Sequence, residues 1–222
     1  MPPVQQWAEG SFSAKQLKTI DIEQLLEREP IHINNKEIGY QIKQQRILVT
    51  GAAGSIGSEI VRQLIKYDPE MIILCDQAET PLHHLQLEIE ALHPTCLCIP
   101  WLADITNETR MRELFTQYAP QYVYHAAAYK QVPMMEISPV EAIRNNVLGT
   151  QLLADLSVKY KVNRFVMIST DKAVNPSNVM GASKRLAEIY AQGLSSTQPL
   201  TKFITTRFGN VLGSNGSAIN LF

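Results

Sequence analysis

Thr170, Asp171 and Lys172 put a hydroxyl, a carboxylate and an ammonium group in succession along the chain. They follow an apolar run over residues 164–169 that predicts a buried strand, so they would lie at its C-terminal end. Parallel α/β sheets bind their ligands in the crevice at that end. There, the three groups could relay protons to and from a bound molecule.

Met180 and Lys184 follow on a helix predicted over residues 178–194, and their spacing places them on one face. In short-chain dehydrogenase-type folds a tyrosine fills the first position and acts as a base, assisted by the lysine. A methionine thioether cannot take up a proton. Two hypotheses follow: the chain binds a cofactor without chemistry, or Thr170, Asp171 and Lys172 take over the acid–base work. In the purely structural alternative, Met180 is core and Lys184 is surface.

Three glycines provide a nucleotide-binding turn after the first predicted strand. Gly51 permits the tight turn, Gly54 lets the backbone approach a pyrophosphate, and Gly57 lets the next helix pack close to the strand. Ser55 and Ile56 begin that helix, where unpaired N–H groups and the positive dipole end favour phosphate. Strand, glycine turn and helix together predict a dinucleotide site.

Acidic residues end the second and third predicted strands. Asp76 can accept hydrogen bonds from the adenosine ribose hydroxyls and disfavours a 2′-phosphate, which favours NAD while leaving NADP possible. Asp104 and Ile105 could meet the adenine. In both places a helix-capping carboxylate is the alternative.

Small residues follow the fourth strand. Ala126 and Ala127 would let the backbone run close to the cofactor, and His125 before them fits a packed strand end better than a base. Lys130 lies at the mouth of the predicted crevice, where it could meet a phosphorylated substrate or simply face solvent. The polar, glycine-rich run over residues 207–217 predicts a loop that contacts a substrate phosphate, with a plain turn as the alternative.

Six strands alternating with helices predict an α/β protein with a doubly wound parallel sheet and right-handed crossovers. The predicted strands are residues 47–49, 71–76, 97–103, 122–125, 164–169 and 203–207, and the predicted helices 55–64, 80–92, 108–118, 140–159 and 178–194. We expect residues 46–222 to form the NAD(P)-binding domain, without a C-terminal substrate domain. Residues 1–45 would be an arm or linker, with a short helix over 20–26 and an extended piece over 31–33.

Composition narrows the class of protein. The chain has 222 residues, 45% hydrophobic and 18% charged, with a net charge of −1. These values are typical of a soluble globular protein and give no sign of nucleic-acid binding. Cys96 and Cys98 lack a metal-ligand pattern and fit core positions, so no metal site is expected. No apolar run is long enough to span a membrane, which predicts a cytoplasmic chain.

In combination, the motifs resemble the nucleotide-sugar 4,6-dehydratases of bacterial polysaccharide biosynthesis, which are extended short-chain dehydrogenase/reductases. The similarity is greatest to the large membrane-anchored branch that acts on UDP-N-acetylglucosamine and carries methionine at the position of Met180. One departure is Gln131, where histidine is usual. The stretches that carry the resemblance are residues 50–59, 125–136, 169–184 and 207–217.

The resemblance implies an internal NAD(P) redox cycle that removes water from the sugar. Asp171 would be the acid at C6 and Lys172 the base at C5, and Thr170 would hydrogen-bond the C4 oxygen. Lys184 would bind the nicotinamide ribose, with Asp171 or a water it holds as the base at O4. The UDP-sugar would contact Asn210 and Ser214.

The family also implies a homo-oligomer, and an inner-membrane anchor outside this chain. Two alternatives remain open: a UDP-sugar 4-epimerase of the same fold, and a non-catalytic NAD-binding sensor or scaffold.

Overall fold

The computed structural model describes residues 35–209 and Val211. Within them, six parallel strands form one sheet in the order β3-β2-β1-β4-β5-β6. The strand order runs outward from β1 in both directions, which confirms the predicted doubly wound sheet and places its crevice between β1 and β4. The strands are β1 (Arg46–Thr50), β2 (Met71–Asp76), β3 (Leu97–Leu102), β4 (Tyr122–His125), β5 (Arg164–Thr170) and β6 (Lys202–Phe208).

Helices connect the strands. They are α1 (Asn35–Ile42), α2 (Ser55–Leu64), α3 (Glu79–Ala91), α4 (Glu108–Tyr118), α5 (Val132–Ile137), α6 (Pro139–Ala142), α7 (Thr150–Lys159) and α8 (Val179–Thr197). A π-helical segment, Ile143–Gly149, joins α6 to α7, and short 3₁₀ turns occupy Ile65–Tyr67 and Asp171–Ala173.

The central strands of the sheet are buried on both faces, because helices pack against each side. Leu48 of β1 packs with residues of α4, α7 and α8 on one side. Ile47 and Val49 pack with residues of α1, α2 and α3 on the other. All three are fully buried, and a buried side chain of this size contributes about 2 kcal/mol to folding. This core fixes the strand ends that carry the site.

The uniform helix expected over residues 140–159 is wrong in its first half. The π-helical segment interrupts it and turns Asn146 into the interior, where the amide is fully buried. Gly149 ends the segment against Ile105: an added Cβ would lie 2.7 Å from Ile105 Cδ1. Close packing and a buried amide therefore override the regular helical pattern.

Helices α1 and α5 were not expected from the sequence. Within the anticipated arm, α1 packs Ile42 into the core. The anticipated segments 20–26 and 31–33 lie outside the described residues. Over the described part of the chain, no helix combines the length and apolar character needed to cross a membrane.

Candidate active site

The glycine turn after β1 is a cradle that side chains would fill. Gly51 has a φ of +67°, and a Cβ there would lie 2.6 Å from the backbone nitrogen of Ala127. A Cβ on Gly57 would lie 2.0 Å from the Gly51 carbonyl oxygen, so α2 packs directly on the turn. Gly54 is exposed, and its added Cβ would meet only the Gly51 oxygen, at 3.3 Å. The exposed backbone at Gly54 suits the close approach of a pyrophosphate.

The Asp76 carboxylate fastens this turn to the end of β2. Its Oδ2 accepts a hydrogen bond from the Ala53 N–H and its Oδ1 from the Ala78 N–H, both at 2.9 Å. Helix α3 begins at Glu79 without a side-chain cap, so the helix-capping interpretation of Asp76 is wrong. Asp76 instead holds the glycine turn from the neighbouring strand.

A cleft of ≈ 150 Å³ opens beside the glycine turn, between the ends of β1, β2, β3 and β4. Ile105 is buried in its wall, and Asp104 accepts a hydrogen bond from the Thr106 N–H at 2.8 Å. Asn107 caps α4, so Asp104 stabilises a turn and is not the helix cap. The cleft is lined by Gly51, Gly54, Asp76, Gln77, Ala103, Ile105, Ala126, Ala127, Ala128, Tyr129 and Asn145.

His125 is a buried structural histidine at the end of β4, as the sequence indicated. Its Nδ1 lies 2.8 Å from Thr50 Oγ1 and its Nε2 lies 2.8 Å from Thr150 Oγ1. Because the Thr150 hydroxyl donates to the Asn146 carbonyl at 2.7 Å, Nε2 must carry the proton and Nδ1 must accept from Thr50. Burial, with the nearby Lys184 charge, lowers the pKa of His125 to about 3, so the ring is neutral.

Asn146 fixes the loop after β4, a role that the sequence reasoning missed. Its side-chain Oδ1 accepts from the Tyr129 N–H at 2.8 Å, and its Nδ2 donates to the Tyr129 carbonyl at 3.0 Å. The same Nδ2 donates to Ser183 Oγ at 2.9 Å. The Tyr129 backbone is thereby clamped between the π-helical segment and α8. Two adjacent asparagines at positions 145 and 146 of a predicted helix were the available hint.

Thr170, Asp171 and Lys172 form one hydrogen-bonded turn at the C-terminal end of β5. The Thr170 hydroxyl donates to Asp171 Oδ1 at 2.8 Å, and Lys172 Nζ lies 3.4 Å from the same oxygen. The Thr170 hydrogen bond and the Lys172 ammonium hold the pKa of Asp171 below its usual range. Asp171, with 60% of its side chain exposed, is therefore a carboxylate open to an incoming molecule.

Helix α8 presses against this turn. A Cβ on Gly181 would lie 2.3 Å from the Lys172 carbonyl oxygen. Asn178 caps the helix by accepting from the Gly181 N–H at 2.8 Å, and Glu136 accepts from the Val179 N–H at 2.7 Å. The helix start is therefore fixed against the Thr170–Lys172 turn.

Met180 and Lys184 differ in their surroundings, although they share a face of α8. Met180 is buried in an apolar cluster with Met135 and Ala142. Lys184 is also buried, and its Nζ donates to the Ile168 carbonyl of β5 at 2.8 Å. The alternative that placed Lys184 at the surface is wrong. Burial lowers its pKa to about 8, against the attraction of Glu188.

Glu188 holds β6 to α8, and sequence reasoning passed over it although it lies four residues after Lys184. Its Oε1 accepts from Arg207 Nε at 2.9 Å and its Oε2 from Arg207 Nη2 at 2.5 Å. Arg185 donates to Oε2 at 3.1 Å. Burial alone would raise the pKa of Glu188, but hydrogen bonds, with those from Arg207 the strongest, hold it at about 2.

The chain after β6 begins beside the Thr170–Lys172 turn, since an added Cβ on Gly209 would lie 3.5 Å from Asp171 Oδ2. The predicted substrate contacts Asn210 and Ser214 lie outside the described residues. Lys130 is exposed, so its two interpretations both stand.

A doubly wound parallel sheet with a glycine cradle after β1 is the Rossmann-type dinucleotide-binding fold. Residues 47–222 match the family described as polysaccharide biosynthesis protein, and the chain belongs to that family. The capsular polysaccharide biosynthesis protein CapD of Staphylococcus aureus is 47% identical over 223 residues, covering 100% of this chain and 37% of CapD. The chain thus spans little more than a third of that relative.

Solved structures share the fold. Pen from Bacillus thuringiensis superposes with a TM-score of 0.75 at 31% identity, over 81% of this chain and 54% of Pen. A dTDP-glucose 4,6-dehydratase from Streptomyces venezuelae, solved with NAD bound, has a TM-score of 0.62 at 25% identity, over 73% of this chain and 55% of that chain. UDP-glucose 4-epimerases also match.

Proposed function

We propose that this chain carries the catalytic machinery of an NAD-dependent UDP-N-acetylglucosamine 4,6-dehydratase. The observation that carries the proposal is the hydrogen-bonded turn of Thr170, Asp171 and Lys172 at the end of β5. It offers both a carboxylate and an amine to a ligand in the crevice, and buried Lys184 supports it from α8. Membership of the polysaccharide biosynthesis family supports a role in making the sugars of polysaccharides.

The glycine cradle fits a dinucleotide. Gly51, Gly54 and Gly57, with the first N–H groups of α2 at Ser55 and Ile56, would hold the pyrophosphate. Asp76 would take the ribose hydroxyls, which favours NAD over NADP. The adenine would be enclosed by Asp104, Ile105, Ala126 and Ala127, of which all but Asp104 line the cleft. When bound, NAD would supply a hydride acceptor for sugar C4 and a donor for C6.

Two residues would move the protons of the dehydration, and a third would hold the C4 oxygen. Asp171 is already a carboxylate, so it would first accept the proton of the C4 hydroxyl and then deliver it to the departing C6 hydroxyl. Lys172, in its neutral amine form, would remove the C5 proton and return it after water has left. Thr170 would hydrogen-bond the C4 oxygen. The substrate loses one water in total, and each residue regains its starting protonation state.

The remaining residues would position the reactants. Lys184 would bind the nicotinamide ribose and favour proton transfer through its charge, as the resemblance implies. Met180 would take no proton. The UDP-sugar would be held by Lys130, Asn210 and Ser214. We further propose a homo-oligomer and, for the longer protein, an anchor at the cytoplasmic face of the inner membrane.

The proposal is tested by mass spectrometry of UDP-N-acetylglucosamine incubated with the chain and NAD. We expect a product lighter by one water. If the mass is unchanged, the test is repeated with a version extended past Phe222 to the length of the curated relatives. An extended version that binds NAD and leaves the mass unchanged would overturn the dehydratase.

NMR of the same reaction mixture separates the two alternatives. A 4-epimerase would give no mass change but a new sugar detectable by NMR, and the epimerase relatives make it the second candidate. A sensor or scaffold would bind NAD and leave the UDP-sugar unaltered.

A further inference from the structure

We propose that Glu188, clamped by Arg207, is a positioning residue that keeps the buried Lys184 ammonium charged and fixed against β5. Glu188 takes no part in the predicted chemistry and touches none of its reacting groups. Its effect passes through Lys184, one helical turn away on the same face of α8.

The buried ammonium needs a counter-charge. Lys184 has 4% of its surface exposed, and the Ile168 carbonyl at 2.8 Å is a neutral acceptor. A buried ammonium group without a negative partner loses its proton readily. Glu188 supplies the negative charge from one turn further along the helix, and its side chain is completely buried.

Arg207 weakens the electrostatic attraction between Glu188 and Lys184, because its positive charge partly neutralises the Glu188 carboxylate. Its guanidinium binds both Glu188 oxygens, and Arg185 shares one of them. The Glu188–Arg207 ion pair also joins α8 to β6, because Glu188 lies on α8 and Arg207 on β6. In the sheet, Arg207 lies opposite Ser169 of β5. One ion pair therefore fixes the helix that carries Lys184 and partly neutralises its counter-charge.

Glu188 is the main negative neighbour of Lys184, because the other titratable groups around it are neutral, positive or paired with one another. His125 on β4 is neutral, and the Asp171 charge is paired with Lys172 in their own turn. The elements packed around Lys184 contribute Glu188 and Arg185 from α8, Arg207 from β6, His125 from β4, and Asp171 and Lys172 from the end of β5.

The two halves of the pair should act in opposite directions. Glu188→Gln removes the counter-charge, so the Lys184 pKa should fall by about one pH unit, a tenfold loss of proton affinity. Arg207→Gln leaves Glu188 with Arg185 as its remaining cationic partner in the described contacts, so less of its negative charge is neutralised and the Lys184 pKa should rise. A purely structural pair would disturb the packing in both variants and would not produce shifts of opposite sign.

The test is an NMR titration of the chain labelled with ¹³Cε-lysine, with the Lys184 resonance assigned by its loss in Lys184→Met. The wild-type group should titrate at about 8. Glu108→Gln is the matched control, because Glu108 pairs with Arg112 at an i, i+4 spacing on the exposed side of α4. It should leave the Lys184 pKa unchanged.

Shifts in the same direction in both variants, or no shift in either, would overturn the proposal. If Glu188→Gln fails to fold by circular dichroism, Arg207→Gln decides alone: an upward shift supports the proposal and any other result overturns it. That a charged Lys184 assists catalysis rests on the proposed function. The titration itself uses neither cofactor nor substrate. A chain without dehydratase activity therefore leaves this test intact.

Discussion

The half of the sheet formed by β1, β2 and β3 builds its part of the site mainly from backbone. Gly51 and Gly57 create the cradle because no side chain fits there, and Asp76 secures it through two N–H groups. The half formed by β4, β5 and β6 uses side chains on several elements instead: the Thr170–Lys172 turn depends on α8, and the loop after β4 depends on Asn146. We call these the cofactor half and the catalytic half.

The difference indicates that binding and chemistry can be removed separately. A backbone cradle fails when volume is added to it, whereas a turn of reactive side chains fails when one functional group is lost. The following variants test that separation.

Lys172→Ala should have the largest effect and should be confined to the catalytic half. Loss of the C5 base should reduce turnover by about 10²–10⁴-fold. The affinity for NAD should stay within about twofold of wild type by calorimetry, because Lys172 lies outside the cleft lining. Full turnover in Lys172→Ala would refute the base assignment.

Gly57→Ala should break the cofactor half. The new methyl would lie 2.0 Å from the Gly51 carbonyl oxygen, so the turn must move, at about 3 kcal/mol of unfolding free energy. NAD binding should be lost with it. Gly193→Ala is the matched control, since an added Cβ there has no neighbour within 4 Å. Equal urea midpoints for the two variants would contradict the cradle.

His125 joins the two halves through Thr50 of β1 and Thr150 of α7. Its pKa falls from 6.5 in the unfolded chain to about 3 in the folded one, so acid favours the unfolded state, which binds the proton first. Stability from this group is complete above pH 6.5 and is lost as the pH falls towards 3. Between pH 7 and 5 the loss should be about 2 kcal/mol.

Urea unfolding of wild type and His125→Gln at both pH values isolates this contribution. The variant should be less stable at pH 7 but should lose less stability on acidification. If both proteins lose the same unfolding free energy between pH 7 and 5, the pKa of His125 is not lowered by folding.

Gly181→Ala should have the smallest effect, within the catalytic half. The added methyl would push on the Lys172 carbonyl and displace the turn, which should lower kcat about tenfold with little change in NAD affinity. Gly193→Ala, twelve residues further along α8, should leave kcat unchanged. If the two variants have the same kcat, the contact of α8 with the turn has no role in positioning it.

The comparison also explains what the sequence could predict. The glycine turn, the acid at the end of β2 and the alternation of strands and helices follow from local patterns, because each residue acts near its own place in the chain. Glu188 and Asn146 could not be assigned in this way. Their partners Arg207 and Tyr129 lie 19 and 17 residues away, and only the packing of α8 on β6, or of the π-helical segment on the β4 loop, brings them together.

The central claim is tested most directly with UDP-N-acetylglucosamine carrying deuterium at C4. With NAD and the version extended past Phe222, the account predicts a product that has lost one water and kept the deuterium, now at C6. In ordinary water that single label can reach C6 only by internal hydride return. An NAD-binding protein that leaves the sugar mass unchanged, or a product that has lost the label, would contradict the account.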